Sequence, residues 1–396
     1  MLLNSPYPAD IRVKKEASAL IAAGYDVWLL CLRRKSEPRD EQWEGIHVHR
    51  IDAGKNNYAL AFWDITMSLF FVHPKFLSAA NDLIARHGIA VLHVHDLPLA
   101  GTALKLRKKW HTKVVIDFHE NYPEALKTWF AWKTNPITRL KNYLFLNPRR
   151  WFRLEKRAVE KADRIIAVVD EMKGRLIREH GAAEKIHVVT NAEERSFADQ
   201  AVDQAVYGSY AGKFILSYTG GLGPHRGIDT AIQGMALLAD VPAIEFVIVG
   251  SGSTPVTNNL RRLIEVSDLH HVHLLGPKPF SLMYSYMHLA DVNVIPHHSN
   301  GHTDNTIPHK LFQGMMAGKP LLVSSSAPLK RLVEQYQCGL VFQAGDPADF
   351  AKKVLTLYRD PHLRRELGEN GRTATLAGRA NWEEEQSRLA ALYHTL

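Results

Sequence analysis

The chain has 396 residues, 46% hydrophobic and 23% charged, ordinary proportions that exclude a disordered or fibrous protein. Lys and Arg number 49 against 41 Asp and Glu, a net charge of +8 that fits phosphate-bearing ligands or an anionic membrane surface and selects neither. With no apolar run of about 18 residues or more, no basic-then-apolar leader and only two distant cysteines (Cys31, Cys338), the sequence reads as cytoplasmic, without a bilayer span, disulfide framework or Cys-based zinc site.

In chain order, short β-branched runs alternate with longer helical patterns. Strands are predicted at Val27–Cys31, Ile46–Ile51, Ala90–Val94, Lys113–Phe118, Arg164–Val169 and Ile186–Thr190. A second set follows at Phe214–Thr219, Glu245–Val249, Val272–Leu275, Val292–Pro296, Pro320–Ser324 and Gly339–Phe342. Continuous apolar strands separated by helices are what a parallel sheet covered on both faces requires. At about 150 residues per domain, the reading is α/β with two Rossmann-like doubly wound domains. They are placed at 1–196 and 197–378, with 379–396 as a C-terminal helix packing back on the first domain. A first strand should precede Asn4-Ser5-Pro6-Tyr7-Pro8, yet only Met1-Leu2-Leu3 stands there. Either that strand is very short or the recorded start lies inside it. Ligands of open α/β sheets bind beyond the carboxyl ends of strands, and two such domains facing each other would make a cleft.

Three segments after strands carry candidate chemistry. Asp304-Asn305-Thr306-Ile307-Pro308-His309-Lys310-Leu311-Phe312-Gln313 is predicted to open a helix whose N-terminus near Thr306 presents free N–H groups to a diphosphate. The competing reading is an ordinary amphipathic helix. Thr219-Gly220-Gly221-Leu222-Gly223-Pro224-His225-Arg226-Gly227 is a strand running into a Gly-rich loop, where backbone N–H groups and the forked Arg226 donors suit phosphate. It fits neither a dinucleotide fingerprint nor a Walker loop. Gly250-Ser251-Gly252 alone is weak and reads as a tight turn.

In the first half, His93-Val94-His95-Asp96 and Asp117-Phe118-His119-Glu120 each end a strand with polar groups. A His-x-His-Asp cluster invites a metal, but two buried histidines satisfied by backbone is the commoner arrangement, so no metal is assigned. His119 is the better catalytic candidate. The segment 127–157 interleaves Lys127, Arg139, Arg149, Arg150, Arg153 and Arg157 with Trp129, Trp132 and Trp151. That pattern suits an anionic membrane surface, with 56–77 adding apolar area, and it equally suits a core helix with a basic solvent face. No nucleic-acid motif accompanies it.

The order of these motifs resembles the retaining glycosyltransferases of family 4, with the GT-B fold. The likeness runs from Pro6-Tyr7-Pro8-Ala9-Asp10 through His93–Asp96, Asp117–Glu120, Ala162–Val168, Gly220–Gly227 and Phe246–Gly252 to the Asn305–Pro320 segment. It implies a nucleotide-sugar donor as substrate, no separate cofactor or metal, and front-side displacement with retention. Arg226 and Lys310 would grip the diphosphate, with Gly220, Gly221, Gly250, Gly252, Asn305, Thr306 and Gln313 around the donor. His119 would lie against the transferred sugar, while Asp10, Asp96 and Glu120 would meet a glycan or polyprenyl-diphosphate-linked acceptor, at the inner membrane face, in polysaccharide assembly. Two departures stand out: Asn305 and Gln313 where the family carries Glu, and Gly221 where it carries Arg. Lys310 is expected to take over part of that missing cation's task. The alternatives are an epimerase of the same fold and a non-catalytic nucleotide-sugar-binding scaffold.

Overall fold

The computed structural model describes residues 1–8, 10–34, 36–52, 57–131 and 147–396, without the side chains of 57–61, 64, 130 and 131. It divides into two compact units, Met1–Thr190 with Glu385–Leu396, and Asn191–Glu384. The sequence reading set these divisions at 196/197 and 378/379.

The first unit is built on an eight-stranded sheet, in the order β3-β4-β2-β1-β5-β6-β7-β8. Its strands are β1 Leu2–Pro6, β2 Trp28–Leu32, β3 Asp40–Trp43, β4 Ile46–Ile51, β5 Val91–His95, β6 Lys113–Phe118, β7 Arg164–Ala167 and β8 Ile186–Val188. All neighbours pair parallel except β3, which runs antiparallel on the edge against β4. The strand that the sequence left open at the front is present as β1, beside β2 and β5. Leu29, Leu30, Val94, Val114, Val115 and Ile116 are fully buried, as strands covered on both faces demand.

The second unit carries six parallel strands in the order β11-β10-β9-β12-β13-β14. They are β9 Phe214–Thr219, β10 Ile244–Val249, β11 Val272–Gly276, β12 Val292–Ile295, β13 Leu321–Ser324 and β14 Gly339–Phe342. Its core joins Leu216, Phe246, Ile248, Val294, Leu322 and Phe350, among others. The strand order reverses between β9 and β12. Such a reversal, beyond the carboxyl ends of the strands, is where sheets of this kind receive ligands.

One predicted element is corrected. The donor helix starts at Lys310 and ends at Met316, after a short 3-10 turn at Thr303–Asn305. Thr306 is extended, with φ −145° and ψ 161°. Pro308 explains the delay, since a proline disfavours helical backbone in the residue before it. A seven-residue helix beginning four residues later offers no helix N-terminus at Thr306.

Candidate functional site

In the first unit, a buried ionic cluster stands under the carboxyl ends of β5 and β6. It begins with the helix Ile11–Ala22, whose N-cap is Asp10: that carboxylate accepts from the backbone N–H of Arg12 and of Val13. The cap sets Arg12 in the first turn, aimed into the sheet. There its Nε and Nη2 donate to Asp117 Oδ2 and Oδ1 at 2.9 and 2.8 Å. Nη2 also reaches Glu16 at 2.8 Å, one turn along the same helix. Arg12 is only 3% exposed and both acids are fully buried, so a bidentate ion pair is what makes burying these charges tolerable.

Asp117 also receives the Nε2–H of His119 at 2.7 Å. On the other side, Asp96 Oδ1 accepts the backbone N–H of His119 at 2.9 Å, and Oδ2 lies 3.4 Å from Nδ1. Asp96 holds φ 62° and ψ 171°, a region almost reserved for glycine. Burial works against a charge on His119, but Asp96 and Asp117 outweigh it and push its pKa up to about 10. The ring is thus an imidazolium near neutral pH. Burial raises Asp96 to about 7, with His119 pulling the other way, and raises Glu16 to about 7 against the pull of Arg12. Asp117 is held well below the usual carboxylate range, because Arg12 and His119 outweigh its burial.

Beneath this, His93 and His95 are buried and uncharged, lowered by burial to about 3 and 4. His93 Nε2 faces Glu16 at 3.2 Å, and its Nδ1 takes the hydroxyl proton of Tyr393 at 2.6 Å. Glu16, His93, His95 and Asp117 bring candidate ligand atoms within 4.8 Å of one another. Arg12 already sits between the two carboxylates, so the cation this cluster needs is a guanidinium.

In the second unit, the loop after β9 is fixed by close backbone packing. A β-carbon on Gly250 would lie 1.8 Å from the Gly220 carbonyl oxygen, and one on Gly252 2.9 Å from Leu222. The amides of Gly220 and Leu222 donate to Val249 and Ser251 carbonyls. Gly250 and Gly252 therefore seat the loop. Gly220, at φ 121°, leaves room for an ammonium: a β-carbon there would stand 2.9 Å from Lys310 Nζ.

Lys310 Nζ is buried with no hydrogen-bond partner among the described residues. It lies 3.7 Å above the centroid of the Tyr218 ring, whose hydroxyl is tied to the Gly221 carbonyl at 2.6 Å. Burial, and then the charge of Arg226, hold its pKa well below the usual lysine value. Arg226 follows in the short turn Pro224–Arg226. No carboxylate pairs with it among the described residues; its Nη1 donates to His297 Nε2 at 3.0 Å. His225 sits beside these cations, lowered by burial and by Arg226 to about 2. Arg226 without a carboxylate partner among the described residues, and a buried Lys310 amine that a bound anion would favour in its charged form, lie together over an aromatic face beside a Gly-rich loop, an arrangement suited to a polyanion.

Gln313 is buried, and its amide donates to Glu193 Oε2 at 2.7 Å. The position that carries no charge is therefore in contact with a carboxylate after all, supplied from the segment following β8. The Asn305 amide donates to the Gly301 carbonyl at 2.9 Å, closing the turn before Thr306. Gly221 has open space where a side chain would project, with Ser251 O at 4.0 Å its nearest neighbour. Glu120 follows His119 and is half-buried. Sequence reasoning missed Arg12, Glu193, His297 and Tyr393. Of these only Arg12 left a signal, the Arg12/Glu16 pair one helical turn apart.

The basic segment is described in part, and residues 132–146 lie outside the described residues. In the helix Pro148–Lys161, Trp151 is fully buried, not surface aromatic, while Arg149, Arg153, Lys156 and Arg157 are exposed. Glu155 turns inward to Arg175 and His180. Within 56–77, Phe62 and Phe70 are exposed and Phe76 is buried. No helix among the described residues is long and apolar enough to cross a membrane.

Comparison with known proteins follows this geometry. Residues 199–374 match the glycosyl transferases group 1 model, and residues 10–192 match the glycosyl transferase 4-like domain. An uncharacterized glycosyltransferase of Methanocaldococcus jannaschii is 24% identical over 317 residues, 80% of this chain and 78% of that protein. The sucrose-phosphate synthase of Thermosynechococcus elongatus superposes with a TM-score of 0.78 at 20% identity, over 99% of this chain and 94% of its own. Anabaena HepE, solved with UDP-glucose, gives 0.73 at 14% identity, over 100% and 99%. Two parallel-sheet units, each matched by its own family model, establish that this chain belongs to the family-4 type glycosyltransferases and has the GT-B fold.

Proposed function

We propose that the enzyme moves a sugar from a nucleotide-sugar donor, held by its diphosphate in the second unit, to a glycan or lipid-linked acceptor taken by the first, with retention at the anomeric carbon. The observation that carries this reading is the pair Arg226 and Lys310, which lack any carboxylate partner among the described residues. A buried ammonium without a counter-charge is costly unless a ligand supplies one. Anabaena HepE, of the same fold, was solved with UDP-glucose, which favours a nucleotide sugar as that ligand.

As the sugar–phosphate bond lengthens, negative charge grows on the leaving diphosphate. Arg226 and a Lys310 charged beside the diphosphate would stabilise that growing charge more than they stabilise the ground state. The leaving oxygen then takes the acceptor hydroxyl's proton, which requires no protein base. His119, an imidazolium whose ring is held by Asp117, is assigned to a substrate hydroxyl, with Asp96 as the matching acceptor. Exposed Phe62, Leu69 and Phe70, with Arg149, Arg153 and Arg157, support docking on the inner face of the cytoplasmic membrane. Flotation with anionic vesicles tests that part, and salt-insensitive absence of binding ends it.

The decisive experiment is a thermal-shift screen against UDP-, GDP-, dTDP- and ADP-sugars. One base should raise the melting temperature of the wild type and not of Arg226→Ala, since only a ligand bound to the native state stabilises it. No shift with any of the four would refute the reading.

A further inference from the structure

We propose that His297 is a positioning residue for the diphosphate site: its neutral imidazole fixes the guanidinium of Arg226 and leaves its positive charge uncancelled. This rests on the nucleotide-sugar reading above and adds a residue to it.

β9 and β12 are neighbours at the point where the strand order reverses. Pro296 and His297 continue β12 toward the turn that follows β9. Gly227, at φ 62°, has no space for a side chain, because a β-carbon would lie 1.8 Å from the Pro296 carbonyl oxygen. The His298 N–H donates to the His225 carbonyl at 3.1 Å. The two loops are thus locked together on either side of Arg226 and His297, and the 3.0 Å contact between their side chains is built on that frame.

The chemistry of the contact then fixes the charge state. A guanidinium has donors only, so His297 Nε2 must carry a lone pair and the ring must be uncharged. His297 is 1% exposed. Among the described residues the groups facing it are Arg226, Lys310, His225 and His302, none of them an acid, and with burial first they hold its pKa well below the ordinary value. The carboxylate of Asp229 faces His298 instead, at 3.1 Å.

The same side-chain type shows the alternative elsewhere in this chain. Arg12 is gripped by Asp117 and Glu16, which fix it and cancel its charge together. An arginine meant for a diphosphate needs the first effect without the second. A neutral acceptor provides that separation, and a carboxylate does not.

The test uses the full chain and titration calorimetry with UDP, GDP, dTDP and ADP, for wild type, Arg226→Ala and three variants at 297. His297→Gln, which keeps a neutral acceptor of similar reach, should bind within about threefold of wild type. His297→Ala should bind roughly tenfold more weakly, the effect of losing one hydrogen bond to a charged group. His297→Glu should also bind at least about tenfold more weakly, while its melting temperature stays at or above that of the alanine variant. A merely structural histidine predicts no difference between Gln and Glu beyond their stability. If all three variants bind like wild type while Arg226→Ala does not, or if Glu serves as well as Gln, the proposal is overturned with the nucleotide-sugar reading intact. If wild type binds none of the four nucleotides, the nucleotide-sugar reading itself falls, and this one with it.

Discussion

Replacing Lys310 by methionine separates binding from stability in one variant. Methionine keeps the length and the apolar stem of the side chain and removes only the ammonium. In the free protein that group has no hydrogen-bond partner among the described residues, and burial together with the charge of Arg226 works against its charged form. Its contact with the Tyr218 ring at 3.7 Å is worth about 2 kcal/mol when the group is charged and desolvated. Against this stands the cost of burying an unpaired charge, which is several kcal/mol. The free variant should therefore be as stable as wild type or more so. With a nucleoside diphosphate present the sign reverses, because a hydrogen bond to a charged group contributes about 1.5–3 kcal/mol, or roughly 10- to 150-fold in affinity. Chemical denaturation of the free protein and calorimetric titration with the diphosphate measure the two effects separately. A variant that is destabilised by more than about 1 kcal/mol, yet binds the diphosphate as tightly as wild type, would refute the reasoning: the lysine would then be a packing element.

Further expectations follow from neighbouring geometry. Gln313→Glu places a second carboxylate against Glu193, 2.7 Å from the present donor, and should lower the melting temperature; adding Glu193→Gln should restore it, and failure of that exchange in a thermal melt would show that the pair is not coupled. Gly220→Ala meets both a positive φ and the Lys310 ammonium, so it should cost about 1–3 kcal/mol in denaturation and weaken diphosphate binding. Gly221→Arg enters open space and should fold like wild type while tightening diphosphate binding; equal or weaker binding in calorimetry counts against a phosphate beside that loop. His119 has a folded pKa of about 10 against an ordinary value of 6.5, so the stability it contributes is complete below about 6.5 and lost as pH rises through 10. His119→Gln should flatten the fall in denaturation free energy over that window, and an unchanged slope would contradict the assigned charge.

The central strands were legible because β-branched runs such as Val114–Ile116 and Phe246–Val249 are apolar on both faces, a pattern only a covered parallel sheet explains. β3 was not, since Asp40-Glu41-Gln42-Trp43 is an edge strand with no apolar run and owes its form to antiparallel pairing with β4. Pro308 was read as helix-opening, whereas its steric demand on Ile307 disfavours helical backbone there, and the helix begins only at Lys310. Site residues that follow strands, such as His119 and Arg226, could be found from their position alone. Glu193 could not: it stands in a polar segment with no pattern, and its significance comes entirely from the amide of Gln313. Asp10 was read as facing an acceptor, and its carboxylate caps the helix that aims Arg12. His297 looked like one of many histidines until the turn at Gly227 was seen to press against its strand.

The hydrogen bond from Tyr393 to His93 joins residues 300 positions apart. Residues 1–190 are made before the segment Glu385–Leu396 that completes the same unit, so this unit must wait for that segment before it can close. Until then His93 and the acids around it have a wet flank, and the ionic lock on His119 lacks its final support. Deleting residues 385–396 should accordingly slow or abort maturation of a unit whose other residues all lie before position 191.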